Sequence, residues 1–267
     1  MMSPAPAFRR AAAVALLLVS FALAAPAAAG TPQGIAILAY HRFDPAAAGP
    51  TTVTTRALTA QLAWLARHGV RIVRLRDAVG TIATPGNGAM PREVAITIDD
   101  GHRSVYTVLF PLIRKLGVPV TLFIYPSAIG RASYALTWAQ LREMQASGLV
   151  DVQSHTYWHP NFTIERRRLS ATDFQRFVDN QLRRSKAVLE AQIGQPVDML
   201  AWPYGIVAPD LESAARNAGY RFAFAYEGGP ARRGMDLLAL PRVPVSEAVW
   251  GDGLAALVGL HATGKAP

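Results

Sequence analysis

Apolar and polar positions along the chain alternate between two rhythms. Short, nearly unbroken apolar runs rich in β-branched residues recur at 35–40, 71–75, 94–98, 118–125, 199–202, 220–226 and 238–245, and a further run begins at Val150. Such runs read as strands buried on both faces. Between them lie stretches with apolar residues at helical spacing. Leu58, Leu62 and Leu65 predict a helix over 56–68 that stops at Gly69. Further helices are expected over 77–82, 104–116, 172–193, 209–218 and 254–260. In the fourth interval Thr137 with Gln140 three residues on is a capping-box pattern, and that helix should end near Gly148. Pro111 must kink the 104–116 helix or begin its second part. The 172–193 helix should turn Phe174, Phe177, Leu182 and Val188 to the core, and Gly219 should stop the one before the 220–226 strand. Stretches 44–55 and 83–91 carry Pro, Gly, Ala, Thr and Asn and read as loops. Glu165-Arg166-Arg167-Arg168 reads as a solvated loop rather than a polyanion patch.

Strands and helices alternate throughout, with no internal repeat. That is the grammar of a parallel α/β sheet. Several strands end in polar residues. A barrel gathers all such ends at one mouth, so a (β/α) barrel is favoured over an open sheet.

Three of those strand ends carry candidate chemistry. Val94-Ala95-Ile96-Thr97-Ile98 runs into Asp99-Asp100-Gly101. One carboxylate could bind a metal while the other acts as a base beside it. Alone, the stretch reads equally well as an Asx-turn with a helix N-cap ahead of Ser104. Val150-Asp151-Val152-Gln153-Ser154 leads to His155 and His159, with Pro160 directly after. On a helical turn the i, i+4 spacing would put both imidazoles on one face, open to a single ion. The third end, Tyr40-His41, offers a lone histidine whose bland reading is a capped loop residue.

Thr97-Ile98-Asp99-Asp100-Gly101, Ser154-His155-Thr156-x-x-His159-Pro160 and Trp202-Pro203-Tyr204-Gly205 resemble, in order and spacing, three motifs of the polysaccharide deacetylases. These are the NodB-homology domains of carbohydrate esterase family 4. The likeness runs from about Gly34 to Val245. It implies an incomplete (β/α) barrel of about seven strands and a metal-dependent hydrolase. The metal ligands would be Asp100, His155 and His159, suiting zinc, with cobalt or nickel as alternatives. Asp99 would be the catalytic base and the Tyr204 backbone N–H an oxyanion donor. Tyr40-His41-Arg42-Phe43 resembles the first strand of the biofilm-type poly-N-acetylglucosamine deacetylases, which implies an acid role for His41. The commoner family pattern has an arginine ahead of Pro-Tyr-Gly; here Ala201 and Trp202 stand there. Arg242 is the candidate replacement, expected to orient Asp99; otherwise it is a structural ion pair. Tyr40, Tyr157, Trp158 and Trp202 are candidate sugar-stacking walls or ordinary rim packing. His102 is expected to make a local hydrogen bond, and His68 and His261 have no role.

The implied activity is removal of N-acetyl groups from an N-acetylglucosamine-containing envelope polysaccharide. An O-acetyl esterase on another glycan is a second reading, and an inactive carbohydrate-binding protein a third. Residues 1–29 read as a signal peptide: Arg9-Arg10, a short apolar stretch, then Ala27-Ala28-Ala29. Residues 30–267 would form one deacetylase domain, exported to the periplasm or secreted. The chain has no cysteine, so no disulfide supports it. Loss of Arg9 and Arg10 lowers the net charge from +9 to +7, which favours contact with anionic envelope material. Nucleic acid is not expected as a partner, and no later apolar run is long enough to span a bilayer.

Overall fold

A computed structural model describes residues 34–258; the expected leader over 1–29 and the tail from His261 lie outside them. Strand β1 (Ala36–Tyr40) comes first, buried along its whole length. β2 (Arg42–Asp44) and β3 (Thr52–Thr54) pair with each other in a small separate sheet. Then follow α1 (Thr55–Arg67), β4 (Arg71–Val73), α2 (Leu75–Ala83) and β5 (Glu93–Asp99). A π-helical turn, Val105–Leu109, runs into α3 (Phe110–Leu116), followed by β6 (Val120–Ile124), α4 (Trp138–Ala146) and β7 (Val150–Ser154). Helices α5 (Phe162–Arg168) and α6 (Ala171–Ile193) precede β8 (Met199–Ala201) and a 3-10 turn, Pro203–Gly205. The chain continues with α7 (Pro209–Asn217), β9 (Phe222–Phe224), β10 (Val243–Pro244) and α8 (Asp252–Leu257).

The main sheet is parallel throughout, with the path β10-β1-β5-β6-β7-β8-β9. Short β4 takes the edge of β5 at Glu93, Val94 and Ala95, while β6 takes it from Thr97 to Asp99. The seven strands of the path form an incomplete barrel, as expected. Its gap is spanned by one segment. Leu240 exchanges backbone hydrogen bonds with Ala223 and Ala225 beside β9, and Val245 N–H donates to the Ala39 carbonyl of β1. The expected 238–245 strand is therefore reduced to Val243–Pro244. Pro241 has no N–H to give to a ladder.

Alternation along β5 sorts its side chains. Val94, Ile96 and Ile98 join the layer between sheet and helices, with Leu65, Leu109, Leu141, Phe174 and Leu182. Ala95 faces the other way, with Ile37, Phe123, Met199, Phe222 and Leu240 inside the barrel. Thr97 and Asp99 share that inward parity. Leu75, Ala78, Val79 and Ile82 of α2 belong to the inner cluster.

Local expectations fare unevenly. The Thr137 capping box forms, with the Gln140 backbone N–H on the Thr137 hydroxyl and the Gln140 side-chain Oε1 accepting the Thr137 N–H. Pro111 opens the regular turn of α3 behind the π-helical stretch. The 44–55 stretch is not all loop, because β3 pairs with the chain leaving His41. Glu165–Arg168 is helical. Asn161 caps α5 by accepting the Ile164 N–H, and fully buried Phe162 anchors it. On α6 the buried stripe runs through Leu189 rather than Val188. Among the described residues no helix is long and apolar enough to cross a membrane.

Candidate metal and catalytic site

The site begins with the charge at the inner end of β5. Asp99 is 1% exposed, and Arg242, fully buried, reaches it from the segment ahead of β10. The guanidinium meets the carboxylate as a fork, Nη1 to Oδ1 at 2.7 Å and Nη2 to Oδ2 at 2.8 Å. Its Nε–H donates to the Ala225 carbonyl at 2.9 Å, and Nη1 also donates to the Thr97 hydroxyl at 3.1 Å. Thr97 in turn donates to the Leu38 carbonyl. Burial alone pushes the Asp99 carboxyl up. Arg242, His155 and His41 reverse that and hold it well below the usual carboxylate range.

Asp100 turns the other way because its backbone is left-handed, φ +74°. Gly101 follows at φ +79°, a conformation that favours glycine, and a Cβ there would press on Ile124 Cδ1 at 2.9 Å. The two adjacent aspartates thus serve different points.

The histidine pair does not sit on a helical turn. After β7 the chain runs as loop, with Thr156 at φ +63° and His159 at φ +64°. The i, i+4 geometry expected from sequence is replaced by a doubly left-handed loop that reaches the same result. His155 Nε2 and His159 Nε2 each lie 3.8 Å from Asp100 Oδ1. The three donor atoms all fall within 4.8 Å of one another. Metal bonds of ~2.0–2.2 Å bridge gaps of this size. His155 Nδ1 lies 2.8 Å from the Ala201 carbonyl, which can only accept. The proton is therefore on Nδ1, and the Nε2 lone pair faces Asp100. Burial lowers the pKa of His155, and burial together with His155 pushes that of His159 down to about 4. Both rings stay neutral near pH 7, the form in which imidazole binds a metal. One carboxylate and two neutral imidazoles make a donor set that fits a divalent transition metal.

The loop is held from outside the barrel. Ser154 Oγ takes the Thr156 N–H and bonds Ser185 Oγ of α6 at 2.8 Å and Tyr220 OH at 2.8 Å. Gln181 of α6 accepts the Trp158 N–H at 3.1 Å. These groups are buried apart from Trp158. Sequence reading missed this support, although Ser154 stands directly before His155.

His41 follows β1, whose Tyr40 pairs with Ile98, so the register sets His41 beside Asp99. Its ring meets Tyr226 edge to face at 5.4 Å. Tyr226 was not anticipated either. Tyr204 lies in the turn after β8 at φ +57°, and its N–H donates to no protein acceptor among the described residues. The following Gly205 packs so closely on Tyr226 that a Cβ would stand 2.8 Å from that residue's backbone N. The Tyr204 ring leans on His159, centroids 4.7 Å apart.

The four aromatic candidates separate. Trp202 is fully buried, donates Nε1–H to the Leu238 carbonyl and packs on Phe162. Tyr40 is buried with its hydroxyl on Gln61. Neither can line a sugar path. Tyr157 is half-buried under the Arg184 guanidinium, and Trp158 is 43% exposed. His102 makes the local bond expected of it, to Ser104.

Known proteins resemble this chain in sequence and in fold. The family model described as polysaccharide deacetylase matches residues 86–223, which contain Asp99, Asp100, His155, His159 and Tyr204 but neither His41 nor Arg242. The poly-beta-1,6-N-acetyl-D-glucosamine N-deacetylase of Staphylococcus epidermidis is 27% identical over 202 residues, 73% of this chain and 68% of that protein. The structure of IcaB from Ammonifex degensii superposes with a TM-score of 0.74 at 29% identity, covering 85% of this chain and 98% of that one. Streptococcus pyogenes deacetylase PplD in complex with acetate superposes at 0.73 with 22% identity, a likeness of fold alone. With the matched stretch spanning the Asp-Asp, His-His and Pro-Tyr-Gly motifs on this half-barrel, the chain belongs to the polysaccharide deacetylase family.

Proposed function

We propose that the protein removes N-acetyl groups from an N-acetylglucosamine polymer, using Asp100, His155 and His159 to hold a divalent metal. The observation that carries this reading is the convergence of those donors beside an aspartate clamped by a buried arginine. Zinc suits the donor set, and cobalt or nickel would also fit it. A metal bound there would acidify a water and polarise the acetyl carbonyl. Asp99 accepts the proton of the attacking water, held in place by Arg242. His41, set beside Asp99 by the strand register, gives a proton to the departing nitrogen. The free Tyr204 N–H donates to the oxygen of the tetrahedral carbon. Trp158 and Tyr204 offer exposed aromatic faces for sugar rings at the rim. The polymer class follows the named activity of the Staphylococcus epidermidis relative. Export through the 1–29 leader to the periplasm or beyond fits a polymer outside the cytoplasm.

Acetate release from a β-1,6-linked N-acetylglucosamine oligomer tests the reading. Release should stop with a chelator and return with zinc, cobalt or nickel. Release from O-acetylated xylan alone would move the protein to the esterases. Oligomer binding without release from either would make it a binding protein.

A further inference from the structure

Deacetylation leaves an amine on every sugar it processes, and a pocket at the barrel rim is built from groups that suit such a sugar. Val245 N–H bonds the Ala39 carbonyl at 3.0 Å, so the chain leaves β10 beside the end of β1 and His41. The next residues are pinned by Gln61 of α1. Its Nε2 donates to the Ser246 carbonyl at 3.1 Å and the Val249 carbonyl at 2.7 Å, while its Oε1 takes the Tyr40 hydroxyl at 3.0 Å. The segment is thereby locked to the residue that precedes His41.

Between that segment and α1 lies a cavity of about 370 Å³, lined by Arg56, Ala57, Ala60, Glu247 and Trp250. This is within the ~300–1,000 Å³ range of small-ligand sites. Trp250 is 67% exposed, the most exposed large hydrophobic side chain among the described residues. The Glu247 carboxylate is fixed, Oε2 taking the Thr54 N–H at 2.8 Å and Oε1 the Thr54 hydroxyl at 2.9 Å. Two of its lone-pair positions remain, and no cationic side chain among the described residues pairs with it. An open indole face beside a fixed, unneutralised carboxylate suits a flat-faced ring that carries a positive charge. Ala57 and Ala60, one helical turn apart, leave room for the ring, and exposed Arg56 can donate to its hydroxyls.

We propose that this pocket binds a glucosamine unit of the partly processed polymer, its ring on Trp250 and its ammonium on Glu247. The proposal rests on the deacetylase reading above. It makes the pocket a product-side subsite that keeps the chain at the mouth between reactions. An acetylated unit has no charge for Glu247 and should bind less well.

The test is titration of the whole protein with a short β-1,6-linked glucosamine oligomer and with its fully acetylated counterpart, followed by calorimetry. The glucosamine oligomer should bind more tightly. Trp250→Ala should weaken it about tenfold, a loss of ring contact worth ~1.4 kcal/mol. Glu247→Gln removes the charge and keeps one of the two acceptors that Thr54 uses; the part of its loss that comes from the charge should shrink as salt rises. Trp250 is exposed, so Trp250→Ala should fold and should release acetate from a single-sugar substrate at the parental rate. Equal affinity in the parent and Trp250→Ala, or equal affinity for both oligomers, would overturn the proposal. Acetate release with Trp250-indifferent binding would sink the pocket and leave the deacetylase. Trp250-dependent binding of the glucosamine oligomer without any acetate release would do the reverse.

Discussion

Two arginine–aspartate forks stand at opposite ends of the same barrel. Arg242 and Asp99 meet where the strands exit, with side chains 0% and 2% exposed. Arg76 and Asp198 meet at the entry to β8, at 2.9 and 3.1 Å, with side chains 46% and 13% exposed. The contact geometry is nearly the same and the setting is not. At the entry end, water screens the pair, and Asp151 and Arg221 share its charge. At the exit end the pair gives up its hydration, which strong mutual attraction and further hydrogen bonds must offset. Backbone strain divides the same way. Asp100, Thr156, His159 and Tyr204 are the non-glycine residues with positive φ among the described residues, and all follow the exit ends of β5, β7 or β8. Each such conformation costs ~1–3 kcal/mol, so their clustering marks the end where structure is held for chemistry.

The sharpest way to break this contrast is Arg242→Met. It strands a buried carboxylate, which typically costs ~3–5 kcal/mol. The pH dependence should change sign as well. In the parent, the folded Asp99 pKa lies below the unfolded ~3.9. Its stabilisation is therefore full above that pH and is lost as pH falls through the folded value. Without Arg242, burial dominates and the folded value rises above ~3.9, so the variant loses stability as pH rises through that range. Urea unfolding should show a wide gap between parent and variant at neutral pH that narrows on acidification. A gap of equal size at both pH values would mean that Arg242 is merely packed there.

The adjacent aspartates offer the next largest effect. Asp99→Asn should retain metal and lose ~10²–10⁴-fold in rate, because only the base is removed. Asp100→Asn should lose metal first, read by competition with a chromogenic chelator. His41→Ala should keep metal and lose amide cleavage far more than cleavage of an activated ester, whose leaving group needs no proton. Equal metal content and equal residual rates in the two aspartate variants would exchange or cancel the assignments.

What sequence could reveal here depends on how far apart the parts of the site lie along the chain. Asp99, Asp100, His155 and His159 sit in local motifs behind apolar runs, so their types and strand-end positions were legible. Their geometry was not. The histidines converge through left-handed Thr156 and His159, which no spacing rule for a helix anticipates. Thr97 was readable in principle, since it shares the inward parity of Asp99 two residues on. Arg242 could be named only by resemblance, because it lies 143 positions from its partner. Trp202 stays open between sugar wall and packing in the sequence because a strand of three residues does not fix which way the residue after it points. The Gln181 and Ser185 supports lie on α6 among ordinary helix residues, where the stripe that buries them looks like any other.

Those supports allow a smaller perturbation of the exit end. Gln181→Leu removes the acceptor of the Trp158 N–H and one prop of the histidine loop without touching a ligand. Groups that orient ligands typically change metal affinity by ~10–100-fold when lost. The chelator competition should therefore show weaker binding, with stability of the metal-free protein reduced by ~0.5–1.5 kcal/mol for the lost hydrogen bond and the Tyr40 side of the barrel unaffected. Unchanged metal affinity would mean that the loop holds its left-handed turns unaided.

The smallest effect belongs to the entry end and completes the comparison. Arg76→Ala breaks a fork as well formed as the buried one, and contact geometry alone would give it similar weight. Physical setting says otherwise. The Arg76 side chain is 46% exposed, so water and salt already weaken its attraction to Asp198. Asp198 keeps Arg221 at 3.8 Å after the change, and the space vacated by the half-exposed Arg76 side chain admits water to the carboxylate. Exposed pairs of this kind are worth ~0.2–1 kcal/mol. The variant should unfold within about 1 kcal/mol of the parent, lose most of even that difference in high salt, and keep its metal and its rate. A loss approaching that of Arg242→Met would show that fork geometry, not burial, sets the worth of these pairs. It would also remove the ground for treating the two ends of the barrel as different kinds of structure.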